Sequence, residues 1–112
     1  MIRLTVLYNL PPGTDEAEFL RWRLGEHQAS NESGYGVLRT DFGLIDERWT
    51  PAGIVKDSPY RFMTIVDYPD RESFEKGFLA EAAQDKLDDD TKRITDTLFL
   101  ISEIMATSEG KT

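Results

Sequence analysis

Apolar and polar residues alternate along four stretches of the chain, which is typical of β-strands that bury one face. The stretches are Ile2–Asn9 and residues 36–45, 60–68 and 97–105. In the first of them, one side consists of Ile2, Leu4, Val6 and Tyr8. The pattern therefore predicts four strands, the first of which has a strongly apolar face.

A different period, close to that of an α-helix, covers residues 15–30. Thr14 or Asp15 is the predicted N-cap, and Asp15 and Glu18 have the spacing of a capping box. The apolar side is formed by Phe19, Leu20 and Leu24. At about 100° of rotation per residue, His27 falls at the centre of that side. The only histidine of the chain is thus predicted to face the interior.

A second helical region follows the third strand, with Asp70 as its predicted cap. Its buried stripe is Phe74, Phe78 and Ala82, at four-residue spacing. Gly77 is expected to break the helix, so that residues 79–95 form a second piece with Leu87 and Ile94 facing inward.

Residues 46–59 contain two prolines, a glycine and no sustained period, so they are predicted to form a loop. Loops of this length are often functional. Trp49 and Ile54 are apolar enough to fold back as a lid, to meet a neighbouring subunit or to pack at the sheet edge.

The predicted order is strand, helix, strand, strand, helix, strand. This is the ferredoxin-like βαββαβ pattern of the α+β class, a four-stranded antiparallel sheet with its helices on one face. Residues 1–106 are expected to form a single domain, and residues 107–112 a disordered C-terminal tail.

The strands do not alternate cleanly, because the predicted fourth strand is apolar on both faces. Leu98, Leu100 and Ile104 lie on one side, opposite Phe99, Ile101 and Met105. Exposed apolar patches of this size are unusual in monomers. Since a second copy is the simplest cover, we expect a homodimer in which two sheets face each other as a barrel.

Composition narrows the classes of function. The net charge of −8 argues against a nucleic-acid partner, which would require a basic surface. No apolar run is long enough for a membrane helix, and no cysteine is present for disulfides or thiolate chemistry. Asp90, which ends an acidic run, is expected to cap a helix, and no metal site is predicted. We expect a cytoplasmic protein with no membrane partner.

Several short motifs resemble the EthD-like family of the dimeric α+β barrel superfamily. They are the opening strand from Met1 to Tyr8, an aromatic residue five positions before a histidine (Trp22 and His27), and Gly34-Tyr35-Gly36 before the second strand. Residues 78–96 also resemble the second helical region of that superfamily. Where this chain has Trp22, the family has a tyrosine, so a hydroxyl acid is absent here.

The resemblance implies relatives such as cofactor-free monooxygenases, isomerases and cyclases, and a small apolar or aromatic metabolite as ligand. His27 is the candidate catalytic residue, because a partly buried neutral imidazole can serve as a general base. Glu26, Glu32 or Asp41 could orient its ring. The predicted substrate-binding residues are Trp22, Tyr8, Phe42 and Tyr60.

Other functions remain open at the level of sequence. His27 could simply end the helix and pack against Leu24 or Leu20. A non-enzymatic ligand-binding or accessory protein is the alternative to an enzyme. A heme-binding dimer is the second alternative, because heme-degrading relatives use one histidine per subunit. The leading hypothesis requires no cofactor.

Overall fold

The computed structural model describes residues 1–111 and has the predicted α+β architecture. The helices and strands are, in order, β1 (Ile2–Asn9), α1 (Glu16–Trp22), α2 (Gln28–Glu32), β2 (Arg39–Leu44), β3 (Arg48–Thr50), β4 (Gly53–Val55), β5 (Phe62–Tyr68), α3 (Arg71–Gly77), α4 (Glu81–Asp90) and β6 (Thr95–Glu103). Arg23–His27 form a π-helical turn between α1 and α2, and Thr91–Arg93 form a 3-10 turn after α4. The antiparallel main sheet has the order β2-β5-β1-β6, so the ferredoxin-like prediction is confirmed.

The core lies between this sheet and the helices. Val6 pairs with Thr64 on β5 and with Phe99 on β6, which places these three side chains on the face that the helices cover. The buried apolar residues are Ile2, Leu4, Val6, Tyr8, Phe19, Phe62, Val66, Tyr68 and Phe74. The alternation predicted for β1 is therefore confirmed.

The predicted helix starts and the predicted break are confirmed. The Glu18 amide donates to Asp15 Oδ1 at 3.2 Å, and the Ser73 amide donates to Asp70 Oδ1 at 2.7 Å. α3 ends at Gly77, where an added Cβ would lie 2.5 Å from the carbonyl oxygen of Tyr35. Glycine is needed at this position because the backbone at Tyr35 approaches so closely.

The predicted uniform helix over residues 15–30 is wrong in its middle. Gly25 has φ −94° and ψ −105°, outside the helical region, and lies within the π-helical turn. A π turn contains more residues than an α turn, so it rotates the following side chains relative to the expected face. Leu24, predicted to be inside, is 61% exposed, whereas Arg23 is only 1% exposed.

The predicted loop at residues 46–59 contains a short hairpin, β3 and β4, in which Trp49 pairs with Ile54. Strands of three residues are too short to produce a recognisable period. Trp49 is 71% exposed and Ile54 is 59% exposed, so neither folds back as a lid or packs at the sheet edge of its own chain. β2 and β5 are each shorter than predicted, by four and two residues.

Asp90 was predicted to cap a helix, and that prediction is wrong. It is the last residue of α4, and its side chain makes no capping hydrogen bond to the turn that follows. β6 begins and ends two residues earlier than predicted, and residues 104–111 have no regular secondary structure. Thr112, the last residue of the predicted tail, lies outside the described residues.

The sheet face opposite the helices is rich in apolar side chains. Leu7 lies between Met63 and Leu98 in the strand register, and Thr5 lies between Ile65 and Leu100. Leu98 and Leu100 are 39% and 43% exposed. Both side chains are therefore partly exposed to solvent in a single copy of residues 1–111.

Candidate functional site

A cavity of about 400 Å³ lies between the helices and the sheet. Its floor is the helix-facing side of the sheet and includes Val6, Val66 and Phe99, and its walls come from the two helical regions. Small-molecule sites typically measure about 300–1,000 Å³ and are mostly apolar. The cavity therefore has the size and character of a site for a small apolar ligand.

His27 lines this cavity and connects the two helical regions. Its ring stacks on that of Trp22, with centroids 4.4 Å apart and planes 29° apart. Its Nδ1 lies 3.3 Å from Oδ2 of Asp90 at the end of α4, and the imidazole is only 14% exposed. The residue thus sits between an aromatic wall and a carboxylate.

The pKa of His27 is lowered from 6.5 to about 4, chiefly because burial disfavours the imidazolium. The neighbouring carboxylate of Asp90 opposes this shift, whereas the cations Arg23, Lys86 and Arg93 add to it. His27 is therefore neutral at physiological pH.

Asp90 also favours one of the two tautomers of the imidazole. Lys86 Nζ donates to Oδ2 of Asp90 at 2.8 Å, so this oxygen contacts both Lys86 and His27. A carboxylate beside Nδ1 favours the tautomer with its proton on that nitrogen. The Nε2 lone pair of His27 is then free to accept a proton.

Arg23, four residues before His27, is a buried cation on the cavity wall. Its Nη1 donates to Gln28 Oε1 at 2.6 Å, and its Nη2 donates to Thr64 Oγ1 at 3.1 Å. Its guanidinium carbon lies 4.3 Å from the ring centroid of Phe42. The Thr64 hydroxyl also shares a 2.8 Å hydrogen bond with the hydroxyl of Tyr8. These neighbours are all uncharged.

The structure brings three of the five predicted site residues together. His27, Trp22 and Tyr8 line the cavity, whereas Phe42 and Tyr60 are not among its lining residues. Phe42, on β2, packs against Phe62 and the Arg23 guanidinium, so it contacts a residue of the cavity wall and not the cavity itself. Tyr60 precedes β5, where its backbone hydrogen-bonds to the Ser58 hydroxyl instead.

The carboxylate beside His27 is Asp90, and not one of the acids considered in the sequence analysis, Glu26, Glu32 and Asp41. The contact joins residues 63 positions apart, so no local pattern could indicate it. The sequence shows the acidic run that ends at Asp90, but it does not show that Asp90 pairs with His27.

Sequence reasoning also missed Arg23, although a weak signal was available. It lies four residues after Phe19 and four before His27, the spacing of one helix face. An arginine in a helix is normally assigned to solvent because its charge is costly to bury.

Comparisons with known proteins agree on the fold. The chain is similar to a crystal structure of an EthD family protein from Bacillus halodurans, with a TM-score of 0.69, 22% identity and coverage of 94% of this chain and 99% of that one. It is also similar to SnoaB, a cofactor-independent oxygenase from Streptomyces nogalater, with a TM-score of 0.65, 13% identity, and 95% and 94% coverage. A dimeric ferredoxin-like protein of unknown function from Thermobifida fusca gives a TM-score of 0.65, 11% identity, and 92% and 90% coverage.

No family model matches the chain, and no curated protein matches it. The structural neighbours include an EthD family protein and ferredoxin-like proteins, in agreement with the predicted resemblance. At these identities the similarity shows a shared fold.

Two further observations concern residues 1–111. No helix there is both long and apolar enough to cross a membrane. This part of the chain also contains no group of three or more His, Asp or Glu side chains arranged to hold a metal ion.

Proposed function

We propose that the chain is an EthD-like protein that forms a homodimeric barrel, binds a planar, mostly apolar oxygenated metabolite, and moves a proton on it with His27. The supporting observation is the cavity of about 400 Å³ with the His27–Asp90 pair at its wall. Trp22 and Tyr8 provide the aromatic surface against which a flat ligand packs.

The chemistry assigned to His27 is removal of a proton next to a carbonyl group. In this step the C–H bond breaks, the proton moves to Nε2, and the electron pair remains on the ligand as an enolate. Return of the proton from Nε2 to another carbon is an isomerisation. In a cyclisation, the enolate carbon attacks a second carbonyl group, and the alkoxide that forms takes the proton back from Nε2. Neither step requires a cofactor.

The ketone 2-tetralone is a suitable probe, because it is apolar, contains a flat benzene ring, and has acidic C–H bonds next to its carbonyl. In D2O, the wild-type protein should accelerate exchange of these protons for deuterium above the buffer rate. His27→Gln should lose the acceleration and still bind 2-tetralone in a calorimetric titration. Equal exchange rates with wild type and His27→Gln would contradict the catalytic role.

A non-enzymatic binding protein is the second candidate, and the low pKa of His27 favours it. A base whose conjugate acid has a pKa of about 4 accepts protons weakly at neutral pH. Calorimetric binding of 2-tetralone without accelerated exchange would select this function.

The homodimer is supported by the uncovered sheet face and by the hairpin. Leu98 and Leu100 lie on that face, and Trp49 and Ile54 project from β3 and β4. Burying such side chains contributes about 25 cal/mol per Å² of apolar surface. A second copy placed sheet to sheet would cover this face.

Light scattering after size-exclusion chromatography tests the assembly. Wild type should elute with twice the chain mass, and Leu100→Glu should shift it to one chain, because a carboxylate would be buried in the interface. Leu24→Glu is the matched control, since Leu24 is exposed on the helical side and should leave the dimer intact. A monomeric wild type would contradict the proposal.

A further inference from the structure

Arg23 is a charged group buried without a counter-ion. Its side chain is 1% exposed, and the neighbours of its guanidinium are an amide oxygen, a hydroxyl and an aromatic ring. Within residues 1–111, no carboxylate forms an ion pair with it. Burying a charge without an opposite charge is costly, and buried arginines are normally paired.

The other cations on the cavity wall differ from Arg23 in this respect. Lys76 Nζ lies 2.6 Å from Glu72 Oε1, and Lys86 Nζ lies 2.8 Å from Asp90 Oδ2. Asp90 is the one carboxylate among the lining residues within the described part of the chain. The wall therefore has an excess of positive charge, in a chain whose net charge is −8.

The guanidinium is also held in place before any ligand arrives. Thr64 is fixed in turn by the Tyr8 hydroxyl, and Phe42 stacks against Phe62 at 5.9 Å and an interplanar angle of 12°. A guanidinium has five N–H donors, and two of them are used by Gln28 and Thr64. No other hydrogen bond within residues 1–111 uses the remaining donors, and Arg23 is one of the residues that line the cavity.

We infer that the ligand of this cavity has a carboxylate, and that Arg23 binds it as the missing counter-ion. This inference rests on the proposed function, because it assigns the acidic group of the metabolite that the cavity holds. A carboxylate matches the planar fork of a guanidinium and forms short, charge-assisted hydrogen bonds with it. The apolar remainder of the ligand then packs against Trp22.

The test compares two probes of almost identical shape, 2-naphthoate and 2-naphthamide, by calorimetric titration at neutral pH. Wild type should bind the carboxylate at least about tenfold more tightly than the amide. In Arg23→Met this preference should disappear, while the affinity for 2-naphthamide stays within about twofold. Arg39→Met is the control, since Arg39 is exposed, pairs with Asp41 and should retain the preference.

The outcomes separate this inference from the function on which it rests. Equal affinity of wild type for both probes would overturn the role of Arg23 and leave the binding cavity standing. A preference that persists in Arg23→Met would also overturn it, because the charge would then come from another residue. If neither probe binds, the proposed ligand-binding function of the cavity is contradicted. If Arg23→Met does not fold, Arg23→Gln is the second neutral variant; it should also lose the preference, and a preference retained in Arg23→Gln would overturn the role of Arg23.

Discussion

His27 should make the stability of this protein depend on pH in a way that a single substitution removes. The pKa of its imidazole is about 4 in the folded protein and about 6.5 in an unfolded chain. Between these values the unfolded chain binds more protons, so the free energy of unfolding must fall as the pH falls. Above the unfolded pKa, His27 is neutral in both states and contributes no further change.

The magnitude follows from the two pKa values. Near pH 5, the unfolded histidine is mostly protonated and the folded one mostly neutral, so protonation favours unfolding by about 2 kcal/mol relative to pH 7. His27→Gln replaces the imidazole with a neutral group of similar size. The variant should lack this contribution and retain every other pH-dependent one.

Urea unfolding followed by circular dichroism, near pH 7 and near pH 5, measures the difference. Wild type should lose about 2 kcal/mol more than His27→Gln over this interval. Carboxylates such as Glu16, whose pKa is lowered by its hydrogen bond to Arg61, act in both proteins and cancel in the comparison. Parallel losses in the two proteins would refute the buried, neutral His27.

Three further predictions follow from the same contacts. Asp90→Asn should lower the pKa of His27 further, because it removes the one neighbouring group that favours the imidazolium. Titration of the single histidine by NMR measures this pKa, and a raised value would contradict the prediction. Gly77→Ala should lower the free energy of unfolding by about 1–3 kcal/mol, because the added Cβ would meet the Tyr35 carbonyl oxygen. An unchanged midpoint of urea unfolding would refute that close approach. Titration with hemin should produce no Soret shift, because the His27 ring that would bind the iron is stacked on Trp22 and paired with Asp90. A Soret shift that disappears in His27→Ala would instead support the heme-binding alternative.

The sequence was most informative where short-range physics decides the structure. Three kinds of feature depend on only a few neighbouring residues, and all are present in the structure. They are the alternation along Ile2–Asn9, the helix caps at Asp15 and Asp70, and the helix break at Gly77. The strand order then follows from the ferredoxin-like pattern. These features were sufficient to predict the fold.

The site was harder to predict because it depends on contacts between distant elements. The π-helical turn around Gly25 leaves Leu24 exposed, and no propensity of single residues indicates such a turn. Arg23 lies on the same helix face as Phe19, but its charge argued against burial. Asp90 reaches His27 because the end of α4 lies beside the π-helical turn. The histidine itself was found because its helical phase placed it inside, and the turn did not reverse that.

The most direct test of the central claim is a nuclear Overhauser experiment on the protein saturated with 2-tetralone. If the ligand occupies the cavity beside the base, its ring protons should show Overhauser effects to the imidazole of His27 and to the indole of Trp22. The single histidine makes the first assignment unambiguous. Effects that are confined to Trp49 on the exposed hairpin, with none at His27, would contradict the account.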